Sequence, residues 1–269
     1  MLLVIKIGGS ILKEGASSEI ISDIKTLAKE HKLVLVHGGG AEVTKIAANL
    51  GKEQKFIVSP QGFRSRYTDK ETMEIFTMVM AGKINKKIVT ALQSQGIPTV
   101  GLSGLDGLLL KAERKKRLII VDERGRKKII DGGYTGKINE VKVDLISLLL
   151  DNYYVPVLTP IAMSKEFEPL NVDGDRTAAI VAGALKADCL ILLTDVEGLF
   201  MKSKLVANIT AAEAKDALSS IGKGMSTKVH AALEALSQGV NEVLVTSGVK
   251  KQPISSALKH KSGTVIKSE

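Results

Sequence analysis

LLVIKIGGS, residues 2–10, joins a six-residue strand pattern to two glycines and a serine. KLVLVHGGG, residues 32–40, repeats the arrangement and passes into helical spacing at Ala41. An apolar run that ends in a glycine turn and then a helix is the building unit of a parallel sheet, whose strands need long crossovers. The unit recurs along the chain. Strands are expected at 2–7, 33–37, 97–102, 155–159, 189–194, 242–246 and 263–267. Helical runs fall near 17–30, 41–50, 70–81, 83–95, 141–152, 176–186, 210–220, 226–238 and 253–259. This alternation predicts an α/β fold, a three-layer sandwich with a mostly parallel central sheet and helices on both faces.

One segment breaks the rhythm. LLLKAE, RLIIVDE and KKIID, between 108 and 131, read as short strands with Glu123-Arg124-Gly125-Arg126 as a turn, so antiparallel hairpins are expected there. Residues 111–128 hold nine Lys or Arg against three acids. A solvated hairpin and a surface for an acidic partner both fit such a run. Thr159-Pro160 and Pro169 bracket a polar loop, which suggests two lobes, 1–165 and 166–269, sharing one sheet.

Composition sets outer bounds. The chain has 269 residues, 44% of them apolar but only 3% aromatic and none Trp, so Val, Ile, Leu and Ala must fill the core. No apolar run reaches the length of a membrane span, and residues 1–10 lack the pattern of a signal peptide, so a cytoplasmic protein is expected. A single cysteine, Cys189, excludes a disulfide framework within the chain and reads as a buried strand residue. The four histidines show no metal-ligand spacing, and no protein-held metal is expected. The net charge of +9 favours an anionic substrate or partner. Nucleic acid is a poor fit, because the basic run carries no interleaved aromatics.

Chemistry gathers where strands end. KIGGS (6–10) pairs Lys6 with small residues whose N–H groups can approach an anion, and HGGG (37–40) opens a helix, a natural oxyanion or phosphate cradle. NVDGDR (171–176) spaces Asn171, Asp173 and Asp175 by two before a helix, and an Asp there could equally be a cap. TDVEGLF (194–200) follows the strand CLILLT, and GKGMSTK (222–228) ends in Lys228. No G-x-S-x-G, Walker A or G-x-G-x-x-G pattern is present, which removes esterase, P-loop and dinucleotide readings. Two distant lysines, two glycine cradles and a carboxylate suit phosphoryl transfer between anions, which needs positioning and charge neutralisation.

The order KIGGS, HGGG, NVDGD, TDVEGLF, GMSTK resembles the amino acid kinase family along essentially the whole chain. The resemblance implies the fold of that family, ATP with Mg2+ as donor, and an acyl substrate on the N-terminal lobe. It implies that Lys6 and Lys228 neutralise the transferring phosphoryl group and that Asp175 holds both lysines. Gly8, Gly9, Gly39 and Gly40 would supply N–H groups to phosphate and substrate carboxylate. Arg64 would grip a carboxylate, Asn171 would contact substrate, and Thr194, Asp195, Gly198, Phe200, Gly224 and Met225 would border the nucleotide. Family analogy also implies a homodimer rather than a larger ring.

Two departures refine the resemblance. Free-acid N-acetylglutamate kinases of the family carry N-x-N-A-D where this chain has Asn171-Val172-Asp173-Gly174-Asp175, and a carboxylate cannot donate a hydrogen bond as an amide can. They also carry a shorter stretch where this chain has GFRSRYTD, residues 62–69. Its form is similar to the branch that phosphorylates 2-aminoadipate, and in some cases glutamate, attached to the acidic carrier protein LysW in lysine and arginine synthesis. In that reading Ser65, Arg66 and Tyr67 form the lengthened, carrier-side part of the substrate site. The alternative is a kinase of free N-acetylglutamate, and a non-catalytic amino acid sensor is a third, disfavoured by retention of both lysines and Asp175.

Overall fold

A computed structural model of the protein describes residues 1–12 and 17–269. The first strand and its glycine turn organise everything that follows. β1 (Leu2–Ile7) runs through a short 3-10 turn into α1 (Ser18–Leu27), β2 (Lys32–His37) and α2 (Gly40–Asn49). A small hairpin of β3 (Phe56–Val58) and β4 (Arg64–Arg66) leads to α3 (Lys70–Thr77), whose N-terminus is capped by Asp69 accepting from Thr72 N. Met78–Ile84 is a wide π-helical segment, and α4 (Asn85–Gln93) continues from it without a turn. The sequence pattern places two helices with a break near Gly82. The chain instead crosses that point with a π-turn, because apolar residues keep helical spacing through Met73, Phe76, Met80, Ile84, Ile88 and Leu92.

β5 (Thr99–Ser103), β6 (Leu110–Arg114), β7 (Arg117–Val121), β8 (Lys127–Asp131) and β9 (Gly136–Val141) follow, then α5 (Asp144–Asp151). β10 (Val155–Thr159), β11 (Ile161–Met163) and β12 (Pro169–Asn171) lead into α6 (Gly174–Ala184). β13 (Cys189–Thr194), the tiny hairpin β14 (Phe200–Met201) and β15 (Lys204–Leu205), and β16 (Asn208–Thr210) precede α7 (Ala211–Asp216) and α8 (Lys223–Ser237). β17 (Glu242–Ser247), α9 (Pro253–Leu258) and β18 (Thr264–Lys267) complete the chain's elements.

The main sheet has eight strands in the order β16-β18-β17-β13-β1-β2-β10-β5. Every pairing is parallel except β17 with β18. β1 and β13 join the two halves of the chain in the middle of it, with Leu3 opposite Cys189 and Ile7 opposite Leu193. Alternate side chains serve opposite faces. Val4, Val34, Val36, Leu190, Leu192 and Val243 pack under α6 and α8, while Leu3, Ile5, Leu33, Leu35, Ile191 and Leu244 pack under α1, α2, α3 and α4. Both faces are therefore covered, as the near-continuous apolar strands require. Cys189 is buried there, and burial pushes its thiol well up.

β7 and β8 form the expected basic hairpin, with Val121 opposite Lys127 and a turn held by Asp122, which accepts from Arg124 N and Arg126 N. β6 is not part of it. It pairs with β9 and β11 in a second, four-stranded sheet, β12-β11-β6-β9. β9 carries too many charged and polar residues to read as a strand from sequence.

Candidate active site

A cleft of about 1070 Å³ lies over the carboxyl ends of β1 and β2, roofed by β3–β4 and by Leu118, Ile119 and Ile120 of β7. On its floor two glycine turns stand back to back. A Cβ on Gly9 would lie 2.8 Å from Gly39 N, and one on Gly38 would lie 2.8 Å from Gly9 N. Only glycine permits that approach. On the side of β13, Gly8 donates from its N–H to Leu193 O at 3.1 Å and packs beside Thr194.

Three charges meet at this seam. Lys6 is the last residue but one of β1, 7% exposed, flanked in register by Val36 and Leu192. A lysine so placed would be costly unless paired. Asp175, in the first turn of α6 and 6% exposed, supplies the partner: its Oδ1 lies 2.7 Å from Lys6 Nζ as a charge contact rather than an aligned hydrogen bond. Its Oδ2 accepts from Lys228 Nζ of α8 at 3.1 Å. Burial opposes ionisation of Asp175, but the two ammonium groups prevail and hold its pKa at about 2. Two cations on one anion leave a net positive charge, largely screened from water, at the meeting of two N–H-lined turns.

The carboxylates of NVDGD divide their tasks. Asp173 is the N-cap of α6, accepting from Arg176 N at 2.9 Å, and Asp175 is the ion-pair partner. Asp173 is exposed to the cleft, yet loss of solvation between the cleft walls and the neighbouring Asp175 push it up from the ordinary carboxylate value. Asn171, at the end of β12, lines the cleft and donates from Nδ2 to Thr68 Oγ1 at 2.9 Å. Thr68 O in turn accepts from Tyr134 N at 2.7 Å, so the end of GFRSRYTD is tied to β12 and to the loop before β9.

Within that stretch the side chains part ways. Arg64 and Ser65 are exposed and line the cleft, Arg64 with its guanidinium 4.0 Å from the Phe56 ring centre. Among the described residues no carboxylate pairs with Arg64. Arg66 turns inward: it donates to Gly40 O at 2.7 Å, to Thr44 Oγ1 at 2.9 Å and to Gln54 Oε1. Burial and the charge of Arg64 lower it to about 10, so it stays a cation and bolts the hairpin to the start of α2. Tyr67 is half-buried against Gly133 and does not line the cleft. Phe63 spans to the other side of the site, its ring 5.4 Å from His230 of α8 in an edge-to-face contact.

The residues expected to border the nucleotide lie outside this cleft. Thr194 ends β13 and Asp195 follows it, with Thr194 O accepting from Gly248 N at 2.8 Å. Gly198 packs against Thr264, and Phe200 is exposed on β14. Gly224 and Met225 belong to the first turn of α8, whose cap, Gly222, provides no side-chain acceptor. Gly8, Thr194 and Gly248 thus share the carboxyl edge of three parallel strands, where backbone N–H groups suit a polyphosphate. The described residues include no group of three or more His, Cys, Asp or Glu placed to hold a metal ion. Both Asp175 oxygens are engaged by lysines, so magnesium would be held through the phosphates and water rather than by a protein cage.

Sequence reading missed His37, which is fully buried beneath Gly38. Strand parity carries the signal for it: Leu33, Leu35 and His37 share one face of β2, and the first two are core residues.

With this geometry in view, the matches to known proteins are consistent. The chain belongs to the amino acid kinase family, which it matches over residues 1–247. A LysW-aminoadipate/LysW-glutamate kinase of Saccharolobus solfataricus is 46% identical over 266 residues, 98% of this chain and 99% of that one. A protein of Nitrosopumilus maritimus assigned provisionally to the same kinase is 54% identical over 268 residues, the full length of both. Among solved structures, N-acetylglutamate synthase from Neisseria gonorrhoeae with coenzyme A and N-acetyl-glutamate matches with a TM-score of 0.82 and 25% identity, over 100% of this chain and 59% of that one. Carbamate kinase from Giardia lamblia bound to AMP-PNP shares the fold, with a TM-score of 0.68 at 19% identity over 99% and 98% of the two chains. None of the described helices is long and apolar enough to cross a membrane.

Proposed function

We propose that the protein transfers the γ-phosphoryl group of ATP to the side-chain carboxylate of 2-aminoadipate, and of glutamate, attached to the carrier protein LysW. The observation that carries the reading is the Lys6–Asp175–Lys228 junction, where the glycine turns meet beneath a basic hairpin. Full-length relatives bearing that kinase's name supply the substrate. Residues 1–165 would hold the acyl substrate and 166–269 the nucleotide.

A carboxylate acceptor is already ionised at neutral pH, so attack on phosphorus needs no general base. The oxygen–phosphorus bond forms as the bond to the ADP oxygen breaks, and charge spreads over the transferring oxygens. Lys6 and Lys228 stand where that charge develops, held apart and oriented by Asp175, so no reorganisation is required at the moment of transfer. N–H groups of Gly9 and Gly39 face the same seam. Magnesium carried on the phosphates would supply further neutralisation. Arg64, which pairs with no carboxylate among the described residues, stands on the acyl side to hold a second substrate carboxylate.

Aminoadipate and glutamate differ by one methylene, which a pocket discriminates by only about 1–3 kcal/mol. Acceptance of both is therefore expected. An ATP-dependent hydroxamate assay on free N-acetylglutamate, carrier-linked glutamate and carrier-linked aminoadipate tests the reading. Activity confined to the free acid would replace it with N-acetylglutamate kinase.

A further inference from the structure

His37 lies directly under the HGGG turn in a directed chain of hydrogen bonds that the transfer chemistry leaves unused. Asn85, the first residue of α4, aims its amide Nδ2 at Val157 O at 2.9 Å, Thr159 Oγ1 at 3.1 Å and His37 Nε2 at 3.4 Å. Its own oxygen accepts from Lys86 Nζ at 3.2 Å. The Thr159 hydroxyl then has one proton to give, and His37 Nε2 is 2.9 Å away. The tautomer is set at the other ring nitrogen, which carries the proton and leaves Nε2 to accept. Nδ1 lies 2.9 Å from Gly38 O, an atom that can only accept. The chain runs one way, from Asn85 through Thr159 and His37 to the Gly38 carbonyl.

That carbonyl belongs to the peptide between Gly38 and Gly39. The peptide is flanked by two residues without Cβ, so sterics oppose its rotation weakly. A bulkier residue could not stiffen it. A Cβ on Gly39 would come within 2.1 Å of Ile84 Cδ1 and 2.9 Å of Met80 Sδ, both from the π-helical segment. Were the peptide to flip, a carbonyl oxygen would face the seam where an anion has to sit. In a planar trans peptide the N–H points opposite to the C=O. Pulling Gly38 O down onto His37 therefore turns the Gly39 N–H up, toward the seam with Gly9.

We propose that His37, as its Nδ1–H tautomer, is a positioning residue that locks the Gly38–Gly39 peptide with the Gly39 N–H facing the transferring phosphoryl group. This rests on the phosphotransfer reading above. Burial agrees with it, lowering His37 from 6.5 to about 4 and keeping the ring neutral beside Lys6.

The test separates the two ring nitrogens. His37→Asn keeps a donor at the Nδ1 position, whereas His37→Gln keeps a group near Nε2 and loses the donor to Gly38. With ATP and the best acceptor acid, His37→Gln should lower kcat by about tenfold or more while KM for ATP stays within about twofold, and His37→Asn should restore most of the rate. Affinity for ADP with magnesium and aluminium fluoride, a mimic of the transferring group, should fall about tenfold in His37→Gln with affinity for ADP alone unchanged. That measurement needs no acyl substrate, so it tests His37 even if the acceptor is another acid. Equal activity of the Gln and wild-type proteins, or parallel loss of ADP and ADP–fluoride binding, overturns the proposal. Should the variants fail to fold, ¹⁵N shifts of His37 in the unaltered protein decide it: a protonated Nε2 with bare Nδ1 refutes the lock.

Discussion

Arg176, the residue after Asp175, forms a two-point pair with Glu234 of α8: Nε to Oε2 at 2.9 Å and Nη2 to Oε1 at 2.6 Å. Glu234 lies six residues beyond Lys228 on the same helix, so the pair braces α6 against α8 beside the junction where Asp175 meets Lys228. Glu234→Gln should loosen that registration. We expect kcat to fall about 3- to 10-fold, with a smaller change in KM for ATP, in steady-state assays; an unchanged kcat would show that the junction holds itself.

Lys6→Ala removes a cation from the transfer seam while leaving Asp175 and Lys228 paired. A loss of about 10²- to 10³-fold in kcat is expected, with KM moving far less. The reverse pattern would assign Lys6 to ground-state binding.

Asp175 also ties stability to pH. Its folded pKa, about 2, lies below the ordinary 3.8, so its contribution is full above about pH 4 and is lost as pH falls toward 2. The magnitude is on the order of 2 kcal/mol. Denaturant melts from pH 6 to pH 2 should show this slope in the native protein. The slope should be reduced in Asp175→Asn, which is less stable throughout because two ammonium groups then face each other without a counterion.

Charge along Lys111–Lys128 is divided between structure and surface. Arg114 donates to Gly133 O at 2.7 Å and Glu168 at 3.0 Å and lies over the Tyr134 ring, so its loss would harm the fold. Lys116, Arg117, Arg124 and Lys127 make no ion pair among the described residues. Reversing these four to Glu should raise KM for the carrier-linked acid about tenfold or more at low salt, with KM for ATP unchanged. The difference should shrink at about 0.5 M salt, where screening is strong. A salt-independent KM would remove the hairpin from carrier docking.

Far from the site, buried Asp23 of α1 accepts from Ile254 N at 2.7 Å, Ser255 N at 2.9 Å and the Ser255 hydroxyl, capping α9 from a distant element. Asp23→Ala should destabilise the fold by about 1–3 kcal/mol in thermal or denaturant melts, with kcat intact below the transition.

The sequence makes the main sheet legible because its strands are apolar on both faces and end in glycine, a pattern with few alternatives. Lys6, Asp175 and Lys228 are legible only through the order of the motifs that carry them, because an Asp before a helix could equally be a cap. The π-segment is hidden, since one residue inserted into a helix leaves the apolar spacing nearly intact. Arg66 and Arg64 cannot be told apart by type or by strand parity, since both flank Phe56; only the distant partners Gly40, Thr44 and Gln54 bury one and leave the other exposed. Asp173 and Asp175 likewise differ only in which helical position each occupies.

The ladder between Leu3–Ile7 and Cys189–Leu193 has a mechanical consequence. With the two halves of the chain laddered into one sheet, Lys6 and Asp175 are held by the same hydrogen-bonded framework. The two hairpins over the cleft, Phe56–Arg66 and Arg117–Asp131, are separate two-stranded sheets outside that framework, and the contact of Phe63 with His230 ties one of them across the site.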